Sequence, residues 1–242
     1  MALFGSSAGK KDKTTILVTG ASRGLGFGLV RALAQRGERV LAACRAPEEA
    51  SALQGLALTS RKDITVHRMD VTDGVSVAAA RAVIGDAPVH GIINNAGIIG
   101  PQRQSTLDMD FDGFLETLAV NTLGPLRVVQ AFLPNLRAAP AAKILTITSR
   151  MGSFAASGTD RIAYRTSKAA VNRIMLALAR DLEPEGIAVG LVHPGWVRTD
   201  MGGDSADLGI EESVAGILKA FDGLSVATAG RFLDYDGAEI AW

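Results

Sequence analysis

Residues 15–26 read Thr15-Ile16-Leu17-Val18-Thr19-Gly20-Ala21-Ser22-Arg23-Gly24-Leu25-Gly26. The apolar run near its start is typical of a parallel strand that is buried on both faces. A helical pattern begins at Gly24, so the glycines lie in the turn between a strand and a helix. Such a turn lets the backbone approach a pyrophosphate closely, and the helix N-terminus stabilises the negative charge. The segment therefore predicts a dinucleotide-binding turn, with an ordinary strand–helix turn as the alternative.

Short apolar runs alternate with longer helical patterns along the rest of the chain. The runs predict strands at 15–19, 39–43, 64–69, 91–94, 143–148, 187–193 and 230–233, and the helical patterns cover 24–35, 75–84, 111–136, 163–182 and 211–221. This alternation is typical of βαβ crossovers. We therefore predict an α/β fold, a single Rossmann-type doubly wound domain over 14–242, with about seven parallel strands and helices on both faces of the sheet. Residues 1–13 are expected to form a flexible tail.

The composition excludes several classes of protein. Of 242 residues, 25 are Lys or Arg and 25 are Asp or Glu, so the net charge is zero, and neither nucleic acid nor a membrane surface is an expected partner. The single cysteine, Cys44, excludes an intrachain disulfide, and the three histidines lack the spacing of a metal site. No apolar run reaches the roughly 18 residues of a membrane span, and the N-terminus lacks the order of a signal peptide. We expect a cytoplasmic protein.

The end of the second predicted strand bears on the choice of nucleotide. A site for NAD usually places an acidic residue there, beside the adenosine ribose. This chain has Ala42-Ala43-Cys44-Arg45 instead. Arg45 can form a bidentate contact with a 2′-phosphate, and Arg23 in the glycine turn lies on the same side. The two arginines favour NADP(H) over NAD as the cofactor, unless Arg45 is only a solvated residue at the start of a loop.

Two more segments are predicted to line the cofactor site. Asp70 and Val71 follow the third strand, where the carboxylate can accept a hydrogen bond from the adenine amine or can simply cap a helix. Asn94-Asn95-Ala96-Gly97 closes the fourth strand, where small residues let the backbone pass close to the cofactor; an ordinary turn is the alternative. The expected cofactor residues up to this point are Gly20, Ser22, Arg23, Gly24, Leu25, Gly26, Arg45, Asp70, Val71, Asn95, Ala96 and Gly97.

Tyr164 and Lys168 are spaced so that a helix presents both to the same ligand. Reduction of a carbonyl needs a proton donor at the oxygen, and a tyrosine with a pKa near 10 exchanges its proton poorly at neutral pH. Lowering that pKa by about 3 units takes about 4 kcal/mol, which one ammonium a few ångströms away supplies at an effective dielectric near 20. The spacing therefore predicts an acid/base pair. The alternative is a core aromatic beside a surface charge.

Ser149 and Asn121 are further polar residues that the pattern singles out. Ser149 follows the apolar core of the fifth strand, at the sheet edge where doubly wound proteins bind ligands, so its hydroxyl can hold a substrate oxygen. Turn formation is the alternative. Asn121 lies in an apolar helical pattern just before Gly124 and Pro125, where it either organises a water beside Lys168 or forms a satisfied core amide.

The segment 194–210 is the weakest for regular structure, because it carries five glycines or prolines among polar residues. Loops of this length inside a compact domain are uncommon and often serve as active-site lids. We predict a lid at about 195–210. A mostly apolar substrate pocket beside it would use Ile98, Ile99, Arg150, Met151, Phe154, Trp196 and Met201, each of which has a packing alternative.

Together these segments resemble the short-chain dehydrogenase/reductase family. The matching segments are Thr19-Gly20-x-x-x-Gly24-x-Gly26, Asp70-Val71, Asn94-Asn95-Ala96-Gly97, Asn121, Ser149, Tyr164-x-x-x-Lys168 and Pro194-Gly195, in the family's order. Two C-terminal stretches resemble a narrower group, the C-factor and sniffer-type carbonyl reductases. They are His193-Pro194-Gly195-Trp196-Val197-Arg198-Thr199-Asp200-Met201-Gly202-Gly203 and Phe232-Leu233-Asp234-Tyr235-Asp236-Gly237.

The resemblance implies a role for each matching residue. Tyr164 would be the catalytic acid/base, and Lys168 would lower its pKa and hold the nicotinamide ribose. Ser149 would orient the substrate carbonyl, and Asn121 would complete a proton relay. Pro194, Gly195, Val197 and Thr199 would lie against the nicotinamide carboxamide. The chain departs from many relatives in having two extra residues between Ser149 and Tyr164, which we expect to bulge in the loop 152–160.

The resemblance also sets the functional alternatives. The first is an NADPH-dependent carbonyl reductase acting on a small carbonyl or alcohol, in a homo-oligomer paired through the helices 111–136 and 163–182. The second is an NADP-binding signalling or regulatory protein, since C-factor relatives are named for intercellular signalling. A nucleotide-sugar epimerase or dehydratase is a third, but it would need an additional C-terminal substrate region.

Overall fold

The computed structural model describes residues 13–60 and 63–242. Seven strands form one parallel sheet within this part of the chain, in the order β3-β2-β1-β4-β5-β6-β7. They are β1 (Thr15–Thr19), β2 (Arg39–Cys44), β3 (Ile64–Arg68), β4 (Gly91–Asn94), β5 (Lys143–Ile147), β6 (Ala188–His193) and β7 (Phe232–Asp234). The strand order reverses between β1 and β4, which is the switch point at which doubly wound sheets bind their ligands.

Helices cover both faces of the sheet. They are α1 (Gly24–Gln35), α2 (Ser51–Thr59), α3 (Gly74–Ile84), α4 (Phe111–Leu118), α5 (Gly124–Arg137), α6 (Ile162–Leu182) and α7 (Ile210–Gly223). On one face, α3, α5 and α6 bury Val77, Phe132 and Met175. On the other face, α1 and α7 bury residues such as Leu33 and Ile217. The predicted doubly wound α/β fold is confirmed.

Strand β1 illustrates why its sequence is apolar without alternation. Leu17 packs into the layer under α5 and α6, whereas Ile16 and Val18 pack into the layer under α1 and α7. All three side chains are fully buried. A strand with helices on both faces has no solvent face, so a continuous apolar run is the expected pattern.

The structure adds one helix to the sequence-based prediction and shifts several element ends by one or two residues. Helix α2 is missing from that prediction because Leu53 is the one residue it buries, so the sequence has little apolar periodicity there. Strand β7 begins at Phe232 rather than 230, because Gly230 has left-handed torsions (φ +79°) that a strand does not adopt.

The predicted helix over 111–136 is confirmed, and the structure adds an irregularity inside it. A π-type turn, Ala119–Leu123, joins α4 to α5, and the amide of Gly124 bonds to the carbonyl of Ala119, five residues back. Pro125 explains the wider turn, because it has no N–H and its ring crowds the carbonyl four residues earlier, that of Asn121. Turns of this kind occur frequently at functional sites.

The predicted lid is a loop with internal order. Val197 and Leu208 form an isolated parallel bridge, and the amide of Arg198 donates to the Leu208 carbonyl at 2.9 Å. The Arg198 guanidinium also donates to the carbonyls of Ala206, at 2.8 Å, and Asp207, at 2.9 Å. The two ends of the loop are therefore held together by backbone hydrogen bonds and by the Arg198 side chain.

Residues 1–12 of the predicted tail lie outside the described part of the chain. Lys13, which the prediction included in the tail, forms an ion pair with Asp63 at 2.6 Å. Across residues 13–60 and 63–242, no helix combines the length and the apolar character that crossing a bilayer requires.

Candidate active site

The glycine turn after β1 has a geometry that larger residues cannot adopt. Gly20 has left-handed torsions (φ +65°), and a Cβ there would lie 2.8 Å from the Cα of Ala96. A Cβ on Gly26 would lie 2.1 Å from the carbonyl oxygen of Gly20. Helix α1 starts within this turn, and its N-cap residue, Arg23, makes no side-chain bond to the first-turn amides. Those amides are therefore available to an anion.

Thr19 and Asn95 lock the turn to the end of β4. The Asn95 amide nitrogen Nδ2 donates to the carbonyls of Thr19, at 2.9 Å, and Gly20, at 3.1 Å. In return the Thr19 Oγ1 accepts from the backbone amides of Asn95, at 3.0 Å, and Ala96, at 3.1 Å. Asn94 likewise ties β4 to β5 through Thr146, at 3.2 Å. The β4 end is therefore more than an ordinary turn, because its side chains fix the position of the glycines.

A cleft of about 560 Å³ runs along the carboxyl ends of the strands from the glycine turn to Tyr164 and Lys168. Sixteen predicted site residues line it: Gly20, Ser22, Arg23, Gly24, Leu25, Gly26, Arg45, Asp70, Val71, Asn95, Ala96, Gly97, Tyr164, Lys168, Pro194 and Thr199. Gly195 and Val197 lie instead in the packing of the lid, where a Cβ on Gly195 would lie 2.1 Å from Leu208. Asn121 and Ser149 do not line the cleft but contact residues near it.

The two arginines differ in their surroundings at the other end of the cleft. Arg23 forms an ion pair with Asp200 of the lid at 3.3 Å, and both side chains are exposed. Arg45 is exposed, and its guanidinium pairs with no carboxylate of the described residues. The carbonyl of Arg45 accepts from Arg68 at 3.2 Å. Both arginines thus line the cleft, Arg45 directly after β2 and Arg23 in the glycine turn beside the lid.

Asp70 is not the helix cap that the alternative interpretation required. Its Oδ1 accepts from the backbone amide of Thr72, at 2.9 Å, and from the Thr72 hydroxyl, at 2.7 Å, whereas Asp73 caps α3. Burial raises the pKa of Asp70, but the Thr72 bonds and the charges of Arg45 and Arg127 outweigh burial, so the pKa lies below its usual value. Asp70 is therefore an ionised acceptor on the wall of the cleft.

Tyr164 and Lys168 lie one turn apart on α6, and both are buried. The Lys168 Nζ donates to the carbonyl of Ile147, at the end of β5, at 3.0 Å. The same nitrogen lies 5.7 Å from the centroid of the Tyr164 ring. Lys168 is thus an interior amine at the bottom of the cleft, and its interpretation as a surface charge is wrong.

Burial dominates the protonation of this pair. It raises the pKa of Tyr164 above its usual 10, although a hydrogen bond with Ser149 and the charge of Arg161 oppose the rise. It lowers the pKa of Lys168 to about 8. The burial that raises the pKa of Tyr164 therefore also lowers the pKa of its neighbour Lys168. The physical reason is that loss of solvent penalises phenolate and ammonium alike.

Ser149 forms the turn that the sequence interpretation gave as its alternative. Its Oγ accepts from the amide of Met151 at 3.1 Å, which starts a short turn at Arg150–Gly152, and the interaction of its hydroxyl with the phenol opposes the rise in the pKa of Tyr164. A Cβ on Gly152 would lie 2.8 Å from the backbone of Lys168, so this turn packs directly on α6. The serine is therefore placed by the same helix that carries the tyrosine.

The longer loop between Ser149 and Tyr164 folds back over α6. Arg165 donates to the carbonyl of Asp160 at 2.8 Å and pairs with its carboxylate at 2.8 Å. Gly158 packs against the same guanidinium, where a Cβ would lie 2.0 Å from its Nη2. The loop therefore accommodates its length without displacing Ser149 from Tyr164.

Asn121 is a buried amide with every polar atom engaged. Its Oδ1 accepts from the amide of Ile98 at 2.9 Å, and its Nδ2 donates to the Ile98 carbonyl at 2.8 Å and to the Ser167 Oγ at 3.0 Å. A Cβ on Gly97 would lie 3.3 Å from the Asn121 Oδ1 and 3.7 Å from the Lys168 Nζ, so both side chains face this glycine. The π-type turn thus brings Asn121 beside the Lys168 amine.

A family model described as short chain dehydrogenase matches residues 14–207. The chain belongs to the short-chain dehydrogenase family. This short-chain dehydrogenase is 47% identical to the C-signal of Myxococcus xanthus over 157 residues, which cover 64% of this chain and 93% of that protein. The structure of NADPH-bound carbonyl reductase from chicken fatty liver is similar, with a TM-score of 0.89, 35% identity and coverage of 95% of this chain and 99% of that one.

The carbonyl reductase Sniffer of D. melanogaster is also similar, with a TM-score of 0.86, 34% identity and coverage of 95% of this chain and all of that one. These neighbours place the short-chain dehydrogenase with the C-factor and sniffer-type carbonyl reductases, as its C-terminal motifs predicted. It has the fold of a short-chain oxidoreductase.

Several residues that build this short-chain dehydrogenase site were missed by the sequence interpretation. Thr72 holds the Asp70 carboxylate, and Ser167 links Asn121 to the carbonyl of Tyr164, to which its Oγ donates at 2.7 Å. Thr19 was noted for its place in the motif but not for the two amides that it binds. Each is a small hydroxyl residue of common type, so only its three-dimensional neighbours distinguish it.

The expected substrate residues separate into two groups. Ile98 and Met201 line the cleft, whereas Ile99, Arg150, Met151, Phe154 and Trp196 do not. Phe154 is 91% exposed, and Trp196 is partly exposed while its Nε1 donates to the Gly202 carbonyl at 2.9 Å. Arg150 pairs with the buried carboxylate of Asp234.

Proposed function

We propose that this short-chain dehydrogenase is an NADP(H)-dependent oxidoreductase that interconverts a carbonyl compound and its alcohol. The observation that carries the proposal is the joint burial of Tyr164 and Lys168 at one end of a cleft that begins at a glycine turn. The NADPH-bound carbonyl reductase from chicken fatty liver, which has the same fold, supports the proposal.

The cleft fits a dinucleotide in shape and in chemistry. Its volume of about 560 Å³ lies within the range of roughly 300–1,000 Å³ common for ligand pockets. The glycines let the turn pack closely against Ala96 and Asn95 at the end of β4. The free first-turn amides of α1 could then hold a pyrophosphate. Arg23 and Arg45 would hold the 2′-phosphate, Asp70 the adenine amine and Lys168 the nicotinamide ribose. When bound, the nicotinamide supplies or accepts the hydride and, when oxidised, adds a positive charge.

Tyr164 is the proposed acid/base. Its phenol would donate a proton to the oxygen of a carbonyl that is being reduced, and Ser149 would donate a hydrogen bond to the same oxygen. A unit charge at about 6 Å stabilises the phenolate by about 3 kcal/mol at an effective dielectric near 20, which is equivalent to about 2 units of pKa. Lys168, with a pKa of about 8, is largely protonated at pH 7 and supplies one such charge.

Asn121 is proposed to support proton transfer beside Lys168. Its amide already holds the backbone of Ile98 and the hydroxyl of Ser167. Both hydrogens of this amide are already donated, so its contribution would be to fix the Ile98 backbone, while its Oδ1 could still accept from a water next to the Lys168 amine. The relay itself would pass through Lys168.

The test is cofactor oxidation with NADPH and with NADH, using an activated carbonyl such as isatin or a quinone. We expect turnover with NADPH, and a loss of about 100- to 10,000-fold in kcat for Tyr164→Phe, because the proton donor is removed. Tyr235→Phe is the matched control, since the chain has two tyrosines and Tyr235 does not line the cleft. Equal losses in the two variants, or full activity in Tyr164→Phe, would contradict the proposal.

A second function, that of an NADP-binding signalling protein, is favoured by one observation, the 47% identity to the C-signal. The two functions predict different results in titration calorimetry and turnover assays. Tight NADPH binding without turnover of any tested carbonyl would favour signalling. Turnover that depends on Tyr164 would favour the reductase.

A further inference from the structure

The helix that carries Tyr164 begins without a cap of its own. Arg161, the residue before the first turn of α6, has left-handed torsions (φ +52°, ψ +46°) and makes no side-chain bond to the helix amides. The first four N–H groups of a helix have no partner within it. Left-handed torsions are also uncommon for a residue other than glycine, so contacts from elsewhere must hold this helix start.

Gln104 supplies those contacts from the loop between β4 and α4. Its carbonyl accepts from the amide of Ile162 at 2.9 Å. Its side-chain Oε1 accepts from the amide of Tyr164 at 3.1 Å, across 60 residues of sequence. One residue thus satisfies two first-turn donors of α6, and it is itself buried, with 7% of its surface exposed.

The orientation of the Gln104 amide is set by its other end. Its Nε2 donates to the carbonyls of Ile99, at 3.1 Å, and Pro101, at 2.6 Å, which leaves Oε1 directed at Tyr164. Gly100 lies beside this arrangement. It has left-handed torsions (φ +88°), and a Cβ there would lie 2.8 Å from the Thr117 Oγ1 and 3.4 Å from the Gln104 Oε1. The amide is therefore held by three hydrogen bonds in one orientation.

The same loop holds Tyr164 from its carbonyl side as well. Ile98 binds Asn121 through both backbone groups, Asn121 donates to Ser167, and the Ser167 hydroxyl donates to the Tyr164 carbonyl. The Tyr164 amide is bound by Gln104. The segment 98–104 thus binds the Tyr164 N–H directly and reaches its C=O through Asn121 and Ser167.

We propose that Gln104 is a positioning residue for the proton transfer, acting as the N-cap that α6 lacks and thereby aligning the Tyr164 phenol with Ser149. This rests on the proposed function, in which Tyr164 is the acid/base. A misplacement of about 1 Å in a reacting group can cost about 100-fold in rate. Loss of the cap therefore lowers kcat and leaves the affinity for NADPH unchanged, because Gln104 does not line the cofactor cleft.

The experiment compares Gln104→Met, which is nearly isosteric and removes all three side-chain bonds, with Gln102→Met. Gln102 is an exposed glutamine two positions away in the same loop, so it is the matched control. We expect kcat to fall 10- to 100-fold in Gln104→Met, with the Kd for NADPH within twofold of wild type, and no change in Gln102→Met. Gln104→Glu keeps the acceptor for the Tyr164 amide, so its kcat should lie between wild type and Gln104→Met.

A second readout does not depend on turnover. The chain has two tyrosines, so protein labelled with ¹³C at the tyrosine Cζ gives two resonances, which Tyr164→Phe assigns. We expect the Tyr164 resonance to shift or broaden and its titration midpoint to move in Gln104→Met, while the Tyr235 resonance stays unchanged. If wild type turns over no carbonyl, the proposed function fails, and this resonance still tests Gln104.

Unchanged kcat and an unchanged Tyr164 titration in Gln104→Met would overturn the proposal, even if its Tm has fallen, since the role would then be only structural. If Gln104→Met does not fold, Gln104→Glu and the Gly100→Ala variant carry the test through the same resonance. Wild-type Tyr164 signals in both would overturn the proposal.

Discussion

The ionisable groups of Tyr164 and Lys168 are both buried. Burying the charge of Lys168 is unfavourable, and this lowers its pKa from the ordinary 10.5 to about 8. Because the folded pKa is lower than the unfolded one, the folded state binds fewer protons between these values. The cost in stability is fully present below about pH 8 and fades as the pH rises through 10.5. Placing the Lys168 amine beside the Tyr164 phenol therefore lowers the free energy of unfolding at neutral pH.

Replacement of Lys168 by methionine is expected to stabilise the fold while it abolishes turnover. At pH 7 the gain should be about 3 kcal/mol, from the size of the pKa shift, and it should nearly vanish as the pH passes 10.5. Urea unfolding at both pH values measures this. Lys219→Met, an exposed lysine on α7, should change little at either pH. A gain in Lys168→Met that is independent of pH would show that the buried charge is not its source.

Arg45 borders the cleft without an ion pair among the described residues, so its charge is available to a 2′-phosphate. A charge-assisted hydrogen bond contributes about 1.5–3 kcal/mol. Arg45→Asp should therefore lower the ratio of kcat/KM for NADPH to that for NADH by about 10- to 100-fold. Steady-state kinetics with both cofactors measure the ratio. Arg39→Asp, at the opposite end of β2, is the control, and an unchanged ratio in Arg45→Asp would remove Arg45 from the phosphate site.

At the scale of elements, the N-terminal ends of three helices build the site, and each end has a different local structure. Helix α1 begins in the glycine turn, with its first amides directed at the cleft. Helix α5 follows a π-type turn that Pro125 imposes, and this turn brings Asn121 to the Lys168 amine. Helix α6 begins at a left-handed residue and takes its cap from another loop. The irregular geometry at these helix starts therefore brings the polar groups of all three helices to the same cleft.

The glycine turn permits a matched test at this scale. Gly26 and Gly55 are both glycines within helices, but a Cβ on Gly26 would lie 2.1 Å from the Gly20 carbonyl, whereas a Cβ on Gly55 meets nothing within 4 Å. Gly26→Ala should lower Tm and abolish NADPH binding, because the turn must open. Gly55→Ala should instead stabilise by about 0.5–1 kcal/mol, since alanine favours the helix. Differential scanning calorimetry and cofactor titration measure both. NADPH binding by Gly26→Ala at wild-type affinity would contradict this account.

At the scale of the molecule, α4 presents two apolar side chains to solvent. Phe111 is 72% exposed and Leu115 is 65% exposed. Together they form an apolar patch on a surface helix, and such patches mark association sites. The patch lies in the region 111–136 through which the family resemblance predicts pairing. Homo-oligomerisation through this surface is therefore proposed.

Light scattering is expected to give the mass of a dimer or a larger oligomer at micromolar concentration. Leu115→Arg should shift the mass toward that of the monomer, because a charge replaces buried apolar contact in the pair. Val83→Arg, which alters an equally exposed apolar residue on α3, should leave the mass unchanged. A monomer in wild type, or equal shifts in the two variants, would contradict pairing through α4.

The sequence alone determined the fold class, the strand–helix alternation and most of the cleft lining. These properties reside in short windows, because a parallel strand buried on both faces must be apolar throughout and a phosphate-binding turn must carry glycine. Asn121, Ser149, Tyr164 and Lys168 were likewise identified from their spacing and order.

Only the tertiary structure decided how those residues behave. The pKa of Tyr164 lies above its usual value and that of Lys168 below it because distant segments exclude water from both. The Asn121 turn, the ion pair of Arg23 with Asp200 and the cap that Gln104 places on α6 also join parts of the chain that are far apart in sequence or geometry. Desolvation and long-range hydrogen bonds depend on which surfaces meet, and no local pattern of residues specifies that.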